Sequence, residues 1–136
     1  MIAAVQRFIP VGLVLLGAVQ LATGAVMLAG PGFFYDEVAS FPPENEHFIR
    51  DIGTFTFALG AALLWSVRSP SWRLPVLAFA VLQYVLHSAN HLADIDATET
   101  SSHGPANFVL IAIGTGFVGL LLYAEARRRG DATADP

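Results

Sequence analysis

Four long apolar segments divide the chain into parts of similar length. Apolar residues predominate over residues 8–29, 44–67, 72–95 and 105–126, and glycine, proline or charged residues lie between these segments. A helix needs about 20 mostly apolar residues to cross a hydrocarbon layer about 30 Å thick. Each segment is long enough, so the pattern predicts an all-α integral membrane protein whose four transmembrane helices pack as a bundle.

The segment boundaries carry the signals that usually end or begin helices. Gly30-Pro31-Gly32 follows the first segment, and Ser69-Pro70 precedes the third as a cap with proline at the first helical position. We therefore expect one four-span domain over residues 1–129. The polar residues 130–136 are expected to form a disordered tail.

The composition agrees with a membrane location. Hydrophobic residues make up 54% of the chain and charged residues 13%, whereas a typical soluble domain carries about 25% charged residues. The seven basic residues are all arginines and are outnumbered by eleven acids, so the sequence predicts no surface for a nucleic acid. The absence of cysteine excludes disulfides and thiolate metal sites. The expected partner is the lipid bilayer.

The arginines indicate an orientation. Arg7 precedes the first span, Arg68 and Arg73 lie around the turn between the second and third spans, and Arg127–Arg129 follow the fourth. In a four-span protein these three regions share one side, and most acids lie on the other. The positive-inside rule then predicts a multi-pass protein of the cell membrane with both termini in the cytoplasm.

Polar residues recur on the spans near the side away from the arginines. Counting 1.5 Å per residue from the arginine side places His87 at about 20 Å, Asp51 at about 24 Å, His91 at about 26 Å and His47 at about 30 Å. His87 and His91 are four residues apart, so they share one helix face. Ionisable side chains at such depths usually face the bundle interior, which predicts a polar site there.

A metal site is one interpretation of this layer. His87 and His91 have the spacing of helical metal-binding histidine pairs, and Asp51 adds a carboxylate. His47 or Asp94 then completes the coordination of zinc, iron or copper. Haem is a weaker expectation, because His87 and His91 on one helix cannot bind iron from opposite sides. The expected ligand-binding or supporting residues are Arg50, Gln83, Tyr84, Asn90 and Gln20.

Other interpretations need no metal. Asp51 and His87 are candidates for a catalytic acid–base pair acting on a lipid-soluble substrate, or the site binds a small lipophilic ligand. Alternatively the cluster is purely structural, and the protein is an accessory or assembly subunit of a larger membrane complex. Small residues at Ala112, Gly116 and Gly119 are expected to pack within the chain rather than in a homo-oligomer.

One stretch of sequence resembles a known group. Residues 45–53, Asn-Glu-His-Phe-Ile-Arg-Asp-Ile-Gly, together with Asn90-His91, resemble a pattern in small four-helix bacterial membrane proteins, and the whole chain is similar in length and span order to the DoxX-like group. The resemblance implies the four-helix fold and a redox or accessory role in membrane complexes. It draws attention to five residues without giving them a role: His47, Arg50, Asp51, Asn90 and His91.

Overall fold

The computed structural model describes the backbone of residues 2–134 and the side chains of residues 8–131. This part of the chain is helical, without strands: α1 (Ile2–Ala29), α2 (Pro31–Glu37), α3 (Glu46–Arg68), α4 (Pro70–Ala93) and α5 (His103–Ala134). Four of the helices are long and apolar enough to cross a membrane, over Phe8–Ala29, Glu46–Arg68, Pro70–Ala93 and His103–Asp131. The prediction of an all-α protein with four candidate spans is confirmed.

Two short segments differ from the expectation. The region after the first span contains α2, which begins with Pro31 directly after Gly30, a position where proline needs no backbone N–H partner. At the other terminus α5 continues through Ala134, beyond the end expected for the fourth span. Arg129 donates to the carbonyl oxygens of Pro70 and Ser71, which holds this end of α5 against α4. Asp135 and Pro136 lie outside the described residues.

The four long helices form a closed ring. Going round the ring, α1 lies beside α3, α3 beside α4, α4 beside α5, and α5 beside α1. We call the end that carries Arg68, Arg73 and Arg127–Arg129 the arginine end. The opposite end, which carries His47, His87, His91 and His103, is the histidine end, and α2 lies there with the loops 38–45 and 94–102.

Glycines bring α1 and α3 into backbone contact at two levels. A Cβ atom on Gly60 would lie 2.9 Å from the carbonyl oxygen of Gly17, and a Cβ on Gly53 would lie 2.9 Å from the Cβ of Met27 and 3.4 Å from the carbonyl oxygen of Gly24. Small residues at both levels let the two backbones approach closely, as is usual between membrane helices. This packing fixes which face of α3 is turned toward the bundle.

The main cluster of buried apolar side chains lies in the half of the bundle next to the arginine end. Its largest buried side chains come from the first half of α1, the second half of α3, the first half of α4 and the second half of α5, namely Ile9, Leu13, Leu16, Leu59, Leu63, Val76, Leu77, Val118 and Leu121. In the histidine-end half, different contacts join the helices. There α4 and α5 are joined by a hydrogen bond of 2.8 Å between the hydroxyls of Ser88 and Thr115.

The small residues of α5 do not all pack inside the chain. A Cβ on Gly114 would meet the ring of Tyr84 at 2.6 Å, but Cβ atoms on Gly116 and Gly119 would meet nothing within 4 Å. The expectation that Gly116 and Gly119 pack within the chain is therefore wrong. Gly116 is exposed and Gly119 is half-buried on α5.

Candidate functional site

The inward face of α4 changes from apolar to polar along its length. Buried or half-buried positions recur at helical spacing on this face. From the arginine end to the histidine end they are Val76, Leu77, Ala80, Gln83, Tyr84, His87, Ser88 and His91. The apolar part belongs to the core, and the polar part begins one turn beyond it.

The other helices add polar residues at comparable heights. Gln20 is buried on α1, and Thr56 of α3 and Thr115 of α5 are half-buried. At 1.5 Å per residue, Gln20 lies about 18 Å from Phe8, Thr56 about 18 Å from Arg68, and Gln83 about 20 Å from Pro70. The interior of the histidine-end half is therefore polar on all four helices. The expected positions of Gln20, Gln83 and Tyr84 agree with this arrangement.

His87 and His91 form an adjacent pair of rings. Their centroids are 4.7 Å apart and their planes are inclined at 43°. His91 is buried, with 8% of its surface exposed, and His87 is half-buried. The spacing of four residues thus places both imidazoles on one face of α4, as the sequence predicts.

Two polar atoms on this face are buried without a hydrogen-bond partner among residues 8–131. They are Oε1 of Gln83 and Nδ1 of His91. Leaving a buried donor or acceptor unpaired costs about 1–3 kcal/mol. Most buried polar groups in proteins are paired with protein or ordered water, so these two atoms make this face a candidate site for a hydrogen-bonding molecule, water or ligand.

The loop 38–45 covers the histidine pair. The ring of Phe41 meets the ring of His91 edge to face, with centroids 5.2 Å apart. The neighbouring Ser40 is buried, and its hydroxyl lies 3.1 Å from Nδ1 of His103. Its carbonyl oxygen accepts a hydrogen bond of 2.9 Å from the backbone N–H of Glu99. These contacts attach the loop to the start of α5 and hold Phe41 in place.

Tyr35 of α2 strengthens the same cover. Its hydroxyl donates a hydrogen bond of 3.0 Å to the carboxylate of Glu99. Burial raises the pKa of the Tyr35 hydroxyl above its ordinary value, and the neighbouring Glu99 carboxylate raises it further. Asn107 on α5 adds a third link by donating to the carbonyl oxygen of Val38 at 2.7 Å. Together these contacts close the histidine end with residues that are far apart in sequence.

The structure does not bring His47 and Asp51 to the histidine pair. The side chains of His47 and Asp51 are 86% and 58% exposed, and their nearest charged atoms are 3.6 Å apart. No hydrogen bond or ion pair within residues 8–131 joins Asp51 to the side chain of His87 or His91. The reason is the orientation of α3. Gly53 faces α1, and Asp51, two residues earlier, lies about 200° away around the helix.

The remaining predicted residues also lie outside this interior. Arg50 is exposed and paired with Glu46 at 2.8 Å, an ordinary contact between residues four apart. Asn90 and Asp94 are exposed at the end of α4. Consequently no group of three or more histidine, aspartate or glutamate side chains among the described residues is able to hold a metal ion. The expected metal centre of His87, His91, Asp51, His47 and Asp94 is not assembled.

A second polar cluster, which the sequence patterns did not lead us to expect, lies at the arginine end. Glu125 is completely buried, and its carboxylate accepts hydrogen bonds from Arg128 at 2.6 and 2.9 Å and from Arg129 at 3.2 Å. Arg73 donates to the carbonyl oxygens of Ser66 and Val67 at the end of α3. The signal was present, because Glu125 precedes the two arginines by three and four residues. Its polar atoms are paired, so this cluster is a structural connection.

Comparison with known proteins adds no relative. No family model matches the chain, and neither a curated protein nor a solved structure gives a significant match. The resemblance to DoxX-like proteins gains no support from these comparisons, and the function of the chain has to be inferred from its own residues.

Proposed function

We propose that this chain is a multi-pass membrane protein that binds a small lipophilic molecule in its histidine-end half. The bound molecule carries a hydroxyl group that hydrogen-bonds to either Gln83 or His91. Four helices of sufficient length and hydropathy support the bilayer location. Large apolar side chains on the outside of the bundle, such as Phe55, Phe79 and Leu110, support it as well.

The charge distribution supports an orientation with the arginine end in the cytoplasm. Arg68, Arg73 and Arg127–Arg129 lie at this end, and eight acids lie in α2, at the start of α3, at the end of α4 and in the two loops between them: Asp36, Glu37, Glu44, Glu46, Asp51, Asp94, Asp96 and Glu99. The chain has no cysteine. A single cysteine at Ser101 should react with a membrane-impermeant maleimide in intact cells, and one at Asp131 only after lysis. The reverse pattern would contradict the orientation.

The observation that carries the ligand proposal is the pair of unpaired buried atoms on α4. Oε1 of Gln83 requires a donor, and Nδ1 of His91 donates or accepts according to its tautomer. A hydroxyl both donates and accepts, so it suits either atom. The polar row from Gln83 to His91 covers about 12 Å along the helix. His87 lies between them as a further hydrogen-bonding group.

The arrangement of the helices supports entry from the lipid. In the arginine-end half, α3 and α4 contribute Leu59, Leu63, Val76 and Leu77 to the apolar core. In the histidine-end half, Gly53 packs α3 closely against α1. There Ser88 of α4 also hydrogen-bonds to Thr115 of α5. The interior beyond the core is therefore bordered by two separate helix pairs. Phe41 and its loop shield it from water at the histidine end.

The proposal is tested with two probes that differ in one hydrogen-bond donor. In detergent, isothermal titration calorimetry compares 4-heptylphenol with 4-heptylanisole, its methyl ether. We expect the phenol to bind at least tenfold more tightly, and the double variant Gln83→Leu/His91→Phe to abolish this preference. The matched control is His47→Phe, which changes an exposed histidine of the same end and should leave the preference intact. Equal binding of the two probes by the wild type would overturn the proposal.

Thermal unfolding of the probe-free variants separates a ligand site from a structural cluster. If Gln83 Oε1 is unpaired in the empty protein, Gln83→Leu removes a desolvation cost and should leave the melting temperature unchanged or higher. If the polar cluster only stabilises the bundle, as in an accessory subunit, Gln83→Leu should lower the melting temperature. A lower melting temperature for Gln83→Leu, with no binding of the phenol, would therefore favour the accessory role.

A further inference from the structure

An apolar groove runs along the outside of the bundle near the arginine end. Four residues of α1 and one of α3 line it: Pro10, Val11, Val14, Leu15 and Val67. The groove is separate from the polar interior, because Val11, Val14 and Leu15 are exposed on the outer side of α1. In the proposed orientation it lies at the level of the cytoplasmic leaflet.

Arg68 stands beside this groove without a partner. It directly follows Val67, is exposed, and makes no hydrogen bond or ion pair with any of residues 8–131. Arg68 also lies four residues after Leu64, so it shares a face with it and is one turn nearer the end of α3. Leu64 packs against Gly17 of α1. The guanidinium is therefore on the α1 side of α3, next to the groove.

An exposed aromatic residue lies one helical turn from Arg68, outside the groove lining. Trp65 is exposed and precedes Arg68 by three residues, so the two side chains are neighbours on the helix. Tryptophan is enriched at the level of the lipid head groups, and arginine binds phosphate with a planar set of donors. Apolar surface and an unpaired cation thus lie next to each other, as the acyl chain and the phosphate of a phospholipid require.

We infer that this groove is a binding site for one anionic phospholipid. An acyl chain lies against Val11, Val14 and Leu15, and the phosphate lies at Arg68. The other arginines of this end whose side chains the structure describes are less suitable. Arg128 and Arg129 are engaged by Glu125, Arg73 donates to carbonyl oxygens of α3, and Arg127 lies on α5, which does not line the groove. The inference rests on the proposed membrane location and is independent of the ligand site at Gln83 and His91.

Native mass spectrometry of the full chain tests the site. The protein is released from nanodiscs containing equal amounts of phosphatidylglycerol and phosphatidylcholine with identical acyl chains. We expect the wild type to retain phosphatidylglycerol at least fivefold over phosphatidylcholine, and Arg68→Gln to reduce this preference to about one. Arg127→Gln is the matched control, because it removes an exposed arginine of the same end away from the groove, and it should keep the preference.

A second variant tests the acyl-chain part of the site. Val14→Trp fills the groove from the exposed side of α1 and should lower retention of both lipids at least threefold. A wild type without lipid preference would overturn the inference, as would equal losses in Arg68→Gln and Arg127→Gln, which indicate a diffuse positive surface. None of these three variants changes Gln83 or His91. A negative result in the lipid experiment therefore leaves the phenol titrations unaffected and is distinguishable from failure of the proposed ligand site.

Discussion

Gly24 of α1 and Gly53 of α3 meet backbone to backbone. A Cβ atom on Gly24 would lie 2.9 Å from the carbonyl oxygen of Gly53 and 2.6 Å from the backbone nitrogen of Phe57. Backbone atoms cannot move aside as the tip of a side chain does. The contact therefore sets both the distance between the helices and the face of α3 that points into the bundle.

The Gly24→Ala variant should separate α1 from α3. Added volume in a packed interface costs about 1–3 kcal/mol, and backbone neighbours place this position in the upper part of that range. We expect a lower melting temperature in detergent, measured by circular dichroism. The control is Gly119→Ala, where the new methyl group meets nothing within 4 Å, and which should melt as the wild type does. Equal melting temperatures for both variants would contradict the close contact.

Removing the charge of Glu125 should destabilise the arginine end. Glu125→Gln keeps the side-chain volume but leaves Arg128 and Arg129 without their carboxylate. Loss of one partner from a fully buried ion pair costs about 3–5 kcal/mol, and we expect about 1–3 kcal/mol here because the two arginines are partly exposed. Thermal unfolding measures the effect. Glu46→Gln, which disrupts the exposed pair with Arg50, should cost less than about 1 kcal/mol.

The cover at the histidine end should weaken in alkaline solution. Because the pKa of Tyr35 is raised in the folded protein, its contribution to stability is complete below the ordinary pKa of tyrosine near 10 and decreases as the pH rises through the folded value. In the Tyr35→Phe variant the side chain at this position has no hydroxyl to ionise. The difference in melting temperature between the wild type and this variant should be constant from pH 7 to 9 and shrink by pH 11. A difference that stays constant over the whole range would contradict this role.

Sequence patterns predict the bundle better than they predict the site. The four spans follow from hydropathy alone, and the shared face of His87 and His91 follows from their spacing of four residues. The position of Asp51 does not follow, because helical spacing relates residues within one helix and leaves the rotation of that helix about its axis undetermined. Gly53 and Gly60, seven residues apart, mark the packed face of α3. Their pattern could have shown that Asp51 lies on the opposite face.

The tertiary hydrogen bonds at the histidine end could not be predicted from residue spacing within a helix. Tyr35 and Glu99 are 64 residues apart, and Ser40 and His103 are 63 apart. No local pattern connects such residues, because their meeting depends on how two loops close over the finished bundle. Glu125 is different. Its spacing to Arg128 and Arg129 was visible in the sequence, but only the fold shows that α5 buries it completely.

Confining the apolar core to one half of the bundle has a mechanical consequence. The α1–α3 and α4–α5 pairs are each stiff, since glycine contacts brace the first and the Ser88–Thr115 bond braces the second. Both pairs pack against the same apolar core near the arginine end. At the histidine end, the hydrogen bond from the backbone N–H of Glu99 to the carbonyl oxygen of Ser40 joins the loops 38–45 and 94–102. Because these loop contacts cross between the two pairs, we expect the histidine-end half to widen only when they break, while the core near the arginine end stays packed.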